Sequence, residues 1–187
     1  MIRSIGCVGA AGLLVLAACG NEEETAAPPP SPTPAATPAQ PAQPAQPAQP
    51  AGGMESNFGT VDLTPGFMPD PKVVSGTSGG GVDASTWNAA CTGWVSQTPD
   101  HILAASGNFG NLRIMARSDG DITLVVQKPD GTYVCNDDSD GTNPLVAAAM
   151  TQGNYKIWIG SYEQGTNSQY QLGFSELDSV MPSALGQ

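Results

Sequence analysis

A chain of 187 residues with 17 acidic against 6 basic side chains carries a formal net charge of −11. That balance excludes nucleic-acid recognition, which needs a basic face to displace counterions from phosphates, and it excludes electrostatic adhesion to anionic lipid. Cys91 and Cys135, far apart in sequence, make a poor zinc-binding set with the single histidine.

Arg3 and the apolar run from Ile5 to Ala18 have the form of a secretory signal and are too short to cross a bilayer. The run closes on Leu16-Ala17-Ala18-Cys19: a branched apolar residue, two small ones and a cysteine. This motif resembles the bacterial lipobox. The resemblance implies that residues 1–18 are removed as a lipoprotein signal peptide, and that the Cys19 thiol receives a diacylglycerol carrying palmitate-type chains. Two or more acyl chains hold a protein stably where one holds it marginally. Gly20 after the cysteine is compatible with outer-membrane delivery, so the expected location is the bacterial cell envelope, lipid-anchored at the outer membrane.

Residues 19–53 form the expected linker. From Pro28 to about Gly53 the chain is almost entirely Pro, Ala, Gln, Thr and Ser, and Pro38-Ala39-Gln40 opens four tandem copies that end at Gln49. Proline at every third position favours polyproline II, whose three-residue turn aligns the prolines on one edge. Nothing here is large enough to build a core. A disordered but semi-rigid stalk is expected, reaching roughly 80 Å at about 3.1 Å per residue.

Residues 54–187 have the composition of one globular domain, with its core expected over about 85–177. Met54 to Gly81 reads as an irregular lead-in with at most one short strand, near Thr60–Leu63. Beyond it the pattern has period two. Leu112, Ile114 and Ala116 alternate with Arg113, Met115 and Arg117; Ile122, Leu124 and Val126 alternate with Thr123, Val125 and Gln127. Tyr133 and Cys135, then Tyr155, Ile157 and Ile159, then Tyr170, Leu172 and Phe174 repeat it. Pro129-Asp130-Gly131 and Asp140-Gly141 between the runs are hairpin chemistry. The predicted class is all-β, an antiparallel β-sandwich. Cys7 leaves with the signal and Cys19 takes lipid, so Cys91 and Cys135 remain as a disulfide in an exported domain. In the chain-entropy account that loop closure stabilises by about 4 kcal/mol.

The order Cys91-Thr92-Gly93, Pro99-Asp100-His101, the strand Asp121 to Val126, Pro129-Asp130-Gly131, Cys135-Asn136-Asp137-Asp138, Asn143-Pro144 and Gly153 to Gly160 resembles the bacterial pre-peptidase C-terminal domain. The resemblance implies a jelly-roll-like sandwich. In that family the domain is an accessory to secreted enzymes, sometimes binding calcium or adhering to substrate. No peptidase domain precedes it in this chain, so only the accessory or adhesive role carries over.

Three groups of residues invite chemistry. Asn136-Asp137-Asp138-Ser139-Asp140-Gly141 resembles the first half of a calcium loop, with Asn136, Asp138 and Asp140 as ligands. The twelfth position is Ala147 rather than Glu, so further oxygens would have to come from Asp119, Asp121 or Asp130. Trp87, Trp94 and Trp158 form either a second core layer or a ligand platform, with packing favoured. Gly76-Thr77-Ser78-Gly79-Gly80 has the setting of a serine nucleophile, but the one histidine, His101, follows it, and the domain is too short for a two-barrel protease. Ser78 reads as part of a flexible loop, His101 as a strand-start residue, and Arg113 and Arg117 as solvated.

The expectation is a non-enzymatic protein with no catalytic residues. It is anchored through its N-terminal lipid and binds an envelope protein, a glycan or a peptide, with calcium as a candidate cofactor. The alternatives are a hydrolase, a protease-associated accessory protein and a structural spacer.

Overall fold

A computed structural model describes residues 54–186. The signal, Cys19 and the proline repeats lie outside the described residues. Eleven strands follow in order: β1 (Thr60–Leu63), β2 (Lys72–Thr77), β3 (Val82–Asp83), β4 (Trp94–Val95), β5 (His101–Ala105), β6 (Phe109–Ser118), β7 (Ile122–Gln127), β8 (Tyr133–Asn136), β9 (Leu145–Met150), β10 (Gly153–Ser161) and β11 (Gln169–Ser175). They form two sheets, as the alternation predicts.

In the larger sheet β10 is the hub, pairing antiparallel with β5, β7 and β4. β1, β8 and β3 extend it beyond β5, β7 and β4, for seven strands in all. The smaller sheet has the order β2-β11-β6-β9, antiparallel throughout. One pair departs from the antiparallel rule, β1 running parallel to β5.

The alternating residues meet between the sheets. Leu112, Ile114 and Ala116 from β6, Ile122, Leu124 and Val126 from β7, Ile157 and Ile159 from β10, and Leu172 and Phe174 from β11 are buried in one cluster. Removing such surfaces from water stabilises by about 25 cal/mol per Å². The hairpin between β7 and β8 closes through Pro129-Asp130-Gly131. Gly131 takes φ +85°, Lys128 N donates to Thr132 O at 2.8 Å, and Asp130 Oδ1 accepts from Thr132 N at 2.9 Å.

Three readings are corrected. The lead-in holds more than one strand: β1 lies where expected, but β2 is a full edge strand paired to β11, so the sandwich starts at Thr60, well ahead of residue 85. Lys72-Val73-Val74-Ser75-Gly76-Thr77 lacks clean alternation, and it is pairing with β11 that makes it a strand. The glycine-rich segment after it is packed rather than loose. Ser78 is buried, and a Cβ on Gly76 would collide with the Tyr170 hydroxyl, one on Gly80 with the Val95 backbone. Nor are Arg113 and Arg117 merely solvated. Arg113 Nε donates to Val180 O at 2.9 Å, and Arg117 Nη1 donates to Ser183 O at 3.3 Å and to Leu185 O. The two guanidinium groups thereby strap residues 180–185 across the outer face of the smaller sheet. Met115, on the same face of β6 as the two arginines, is fully buried, and Leu185 is buried against Gly173.

Candidate functional site: an acidic rim beside a stapled aromatic layer

β8 ends at Asn136 and hands the chain to the acidic loop. The loop's first job is structural. Asn136 Oδ1 accepts from Ser139 Oγ and from Leu145 N, both at 2.8 Å, so this oxygen is spent on closing the turn into β9. Asp140 Oδ2 accepts from Ser183 N at 2.8 Å, which ties the loop to the strap. Those bonds, helped by the Arg117 charge, hold the Asp140 carboxyl below its usual range.

Asp138 is exposed and belongs to a different group. The Asp121 carboxyl, at the foot of β7, is raised by partial desolvation and then by the charges of Asp138, Asp137 and Glu163. Asp137, Asp138 and Glu163 thus lie near enough for their charges to act on Asp121, and the four carboxylates come from three loops. Of the expected ligand set, Asp138 lies beside Asp121, Asn136 Oδ1 accepts within its own turn, and Asp140 Oδ2 accepts from the strap. Asp121 is itself one of the remote candidates. Asp130 is tied to Thr132 in its own turn, and Asp119 lines an open cleft of about 400 Å³ with Ser75, Arg117 and Gln169. Glu163 was missed because it lies in a separate loop, after β10, with no motif around it. Among the described residues no group of three His, Cys, Asp or Glu converges closely enough to hold a metal ion by itself.

On the outer face of the larger sheet lies a second hydrophobic layer. Trp158 alternates with Ile157 and Ile159 and is 4% exposed, packed with Val95, Val125, Ala84 and Cys91. Packing is the reading the alternation favours for this residue, and the structure agrees. Trp87 lies 4.9 Å from it, centroid to centroid, and stacks on Tyr133 at 5.9 Å with 27° between the rings. Trp87 and Tyr133 are half-buried, and the Trp158 Nε1 has no hydrogen-bond partner. Cys91 and Cys135 are bonded, as the cysteine count predicts, with Cα atoms 5.2 Å apart. The bridge pins the irregular segment after β3 onto β8. Trp94 lies apart from these rings, in β4 opposite Ser161.

Ser78 and His101 are each engaged elsewhere. Ser78 Oγ shares a hydrogen bond with Ser161 Oγ at 2.9 Å and accepts from Ser168 N at 3.0 Å. His101 opens β5, as expected, and is fully buried. Its Nε2 meets the Tyr170 hydroxyl at 2.9 Å, while Nδ1 has no partner. This bond joins the two sheets across the core. Burial pushes His101 down to about 4. Next to it, burial pushes Asp100 up to about 6, against hydrogen bonds from Asn57, Ile159 N and Ser96 that favour the charge. Asp100 and His101 thus serve the fold rather than a nucleophile.

No protein family's sequence profile matches the chain, and no curated protein matches it. The fold is similar to that of several solved structures, two of which are named here. One is the pre-peptidase C-terminal domain of collagenase from Bacillus anthracis, at TM-score 0.43 and 13% identity, over 66% of this chain and 100% of that domain. The other is PliG from Aeromonas hydrophila, a periplasmic inhibitor of g-type lysozyme, at TM-score 0.36 and 15% identity, over 62% of this chain and 96% of that one.

Proposed function

We propose that this protein is a lipid-anchored component of the bacterial envelope that presents its sandwich, on a proline-rich stalk, as a non-covalent binding domain. Its ligand face is the acidic rim around Asp121, and its partner is a cationic protein or peptide of the envelope or exterior. One observation supports this reading above the rest: the Asp121 carboxyl is raised, first by desolvation and then by the charges of Asp138, Asp137 and Glu163 from two other loops. A ligand that brings positive charge relieves that repulsion, and complementary potentials also speed encounter. Calcium belongs to the same proposal as a bridging ion, with the partner completing a ligand set that the rim leaves short.

The anchor and the face are tested separately. Mass spectrometry of the full chain from a bacterial host should show a diacylglycerol-modified Cys19 at the N-terminus, lost in Cys19→Ala. Tryptophan fluorescence of the same chain, titrated with an oligolysine peptide and with calcium, should change saturably and weaken as salt rises. Asp138→Asn and Asp121→Asn should each weaken the response. A flat titration with both probes would remove the acidic face as the ligand site while leaving the anchor result intact.

A further inference from the structure

Sheet edges bring unpaired backbone groups to the surface, and proteins usually blunt them with charge, proline or brevity. Most edges here follow that rule: β1 carries Asp62, β2 opens on Lys72, β3 has two residues, and β8 is short and runs into the acidic loop. β9 does not. Its six residues, Leu145-Val146-Ala147-Ala148-Ala149-Met150, contain no charge and no proline, and only β6 pairs with them.

The register says which groups are open. Ala116 N donates to Pro144 O at 3.1 Å, and Ile114 faces Val146 and Leu112 faces Ala148 along the same ladder. Val146 and Ala148 therefore turn their N–H and C=O to β6 and Ala147 turns its own away, while Ala149, at the bulge between the Leu112/Ala148 and Phe109/Met150 pairs, has no partner residue in β6. Two bonds confirm the parity: Leu145 N donates outward to Asn136 Oδ1, and Thr151 O accepts outward from the Tyr155 hydroxyl at 2.8 Å. Between these two stops lie Ala147 and Ala149, both exposed, and no described group bonds their outward N–H or C=O. The open edge is two donors and two acceptors long.

We propose that this edge pairs with β9 of a second copy of the chain, antiparallel about a two-fold axis at Ala148. In that register Ala147 faces Ala149 of the other copy and Ala149 faces its Ala147. The two open donors and two open acceptors of each copy then satisfy one another, without disturbing the Leu145 or Thr151 bonds. Antiparallel pairing makes a hydrogen-bonded pair of each facing couple and leaves Ala148 opposite Ala148 as the close, non-bonded pair. The contact is self-complementary, as a two-fold interface requires, and alanine side chains leave the approach clear. In a chain of net charge −11, a neutral strip is also where two copies meet without like-charge repulsion.

A disulfide trap tests this in the full chain on intact cells. Cα atoms of a close pair stand at about 4.5 Å, within disulfide reach, so under mild copper-phenanthroline oxidation Ala148→Cys should yield linked dimer about fivefold above Ala149→Cys, one residue out of register. Ala147→Pro removes an outward N–H at an edge position where the fold tolerates proline, and adding it to Ala148→Cys should abolish the link while a cooperative melt is kept. Equal linkage in both cysteine variants, no linkage in either, or linkage that survives Ala147→Pro would overturn the pairing. A band joining Ala148→Cys to a different protein would overturn it in favour of a strand supplied by that protein.

Discussion

The two outer faces of the sandwich are covered in opposite ways. The larger sheet is covered by a dry layer, Trp158 under Trp87 and Tyr133, locked by the Cys91–Cys135 bridge. The smaller sheet is covered by residues 180–185, gripped largely through their backbone by Arg113, Arg117 and Asp140 with Leu185 as the apolar anchor. One cover is stapled covalently and continuous with the hub strand; the other is held by hydrogen bonds and one apolar anchor. Damage to the first should cost the whole domain, whereas damage to the second can cost no more than the strap's own docking energy.

The largest effects therefore belong to the stapled layer. Trp158→Ala should destabilise the domain by about 3–5 kcal/mol, and opening the bridge with Cys91→Ser/Cys135→Ser by about 4 kcal/mol, both read in urea unfolding. Loss of the strap tests the contrast: Arg113→Ala/Arg117→Ala should cost about 1–3 kcal/mol and should raise amide exchange across residues 180–185 without doing so in β10. If it unfolds the sandwich as Trp158→Ala does, the two covers are not different in kind.

The core beneath both covers makes a pH prediction of similar size. Asp100 is raised in the folded state to about 6, so its contribution to stability is full below its ordinary value of 3.8 and is lost as pH rises through 6. His101 is lowered to about 4 from 6.5, so its contribution is full above 6.5 and is lost as pH falls through 4. Between those limits the two slopes oppose, and this pair leaves melting almost flat with pH. Asp100→Asn should expose the histidine slope, the melting temperature falling from pH 6.5 to 4. His101→Gln should expose the aspartate slope, with melting rising over the same descent. Each slope corresponds to about 3 kcal/mol at one unit per 1.4 kcal/mol. The smallest effect is expected at the rim, where Asp138→Asn, an exposed substitution, should leave urea unfolding within about 0.5 kcal/mol of the parent.

Period-two alternation made the inner core legible, because Leu112, Leu124 and Phe174 each face a single interior. Cysteine arithmetic made the bridge legible. What stayed hidden depends on contacts between distant segments. β2 becomes a strand only by pairing with β11, and Met115 is buried on the face of β6 from which Arg113 and Arg117 hold the chain at 180–185. Arg113 and Arg117 read as solvated because their partners are backbone carbonyls, which leave no trace in side-chain patterning. The acidic site was half legible: Asp138 stood in a recognisable run, but the group it joins is assembled from Asp121 and Glu163 on separate turns. Asn136 and Asp140, which fit the spacing of a calcium loop, also close the turn into β9 and tie the strap, roles that the spacing does not show.

The central claim is that the acidic rim receives a cationic ligand. Thermal melting of the full chain at low salt, in EDTA and then with excess calcium or oligolysine, tests it most directly, since a ligand of the native state raises stability as ln(1 + [L]/Kd). The account predicts a rise with at least one of the two probes, diminished in Asp121→Asn and Asp138→Asn. Identical melts under all three conditions, or a rise that both variants retain in full, would contradict it.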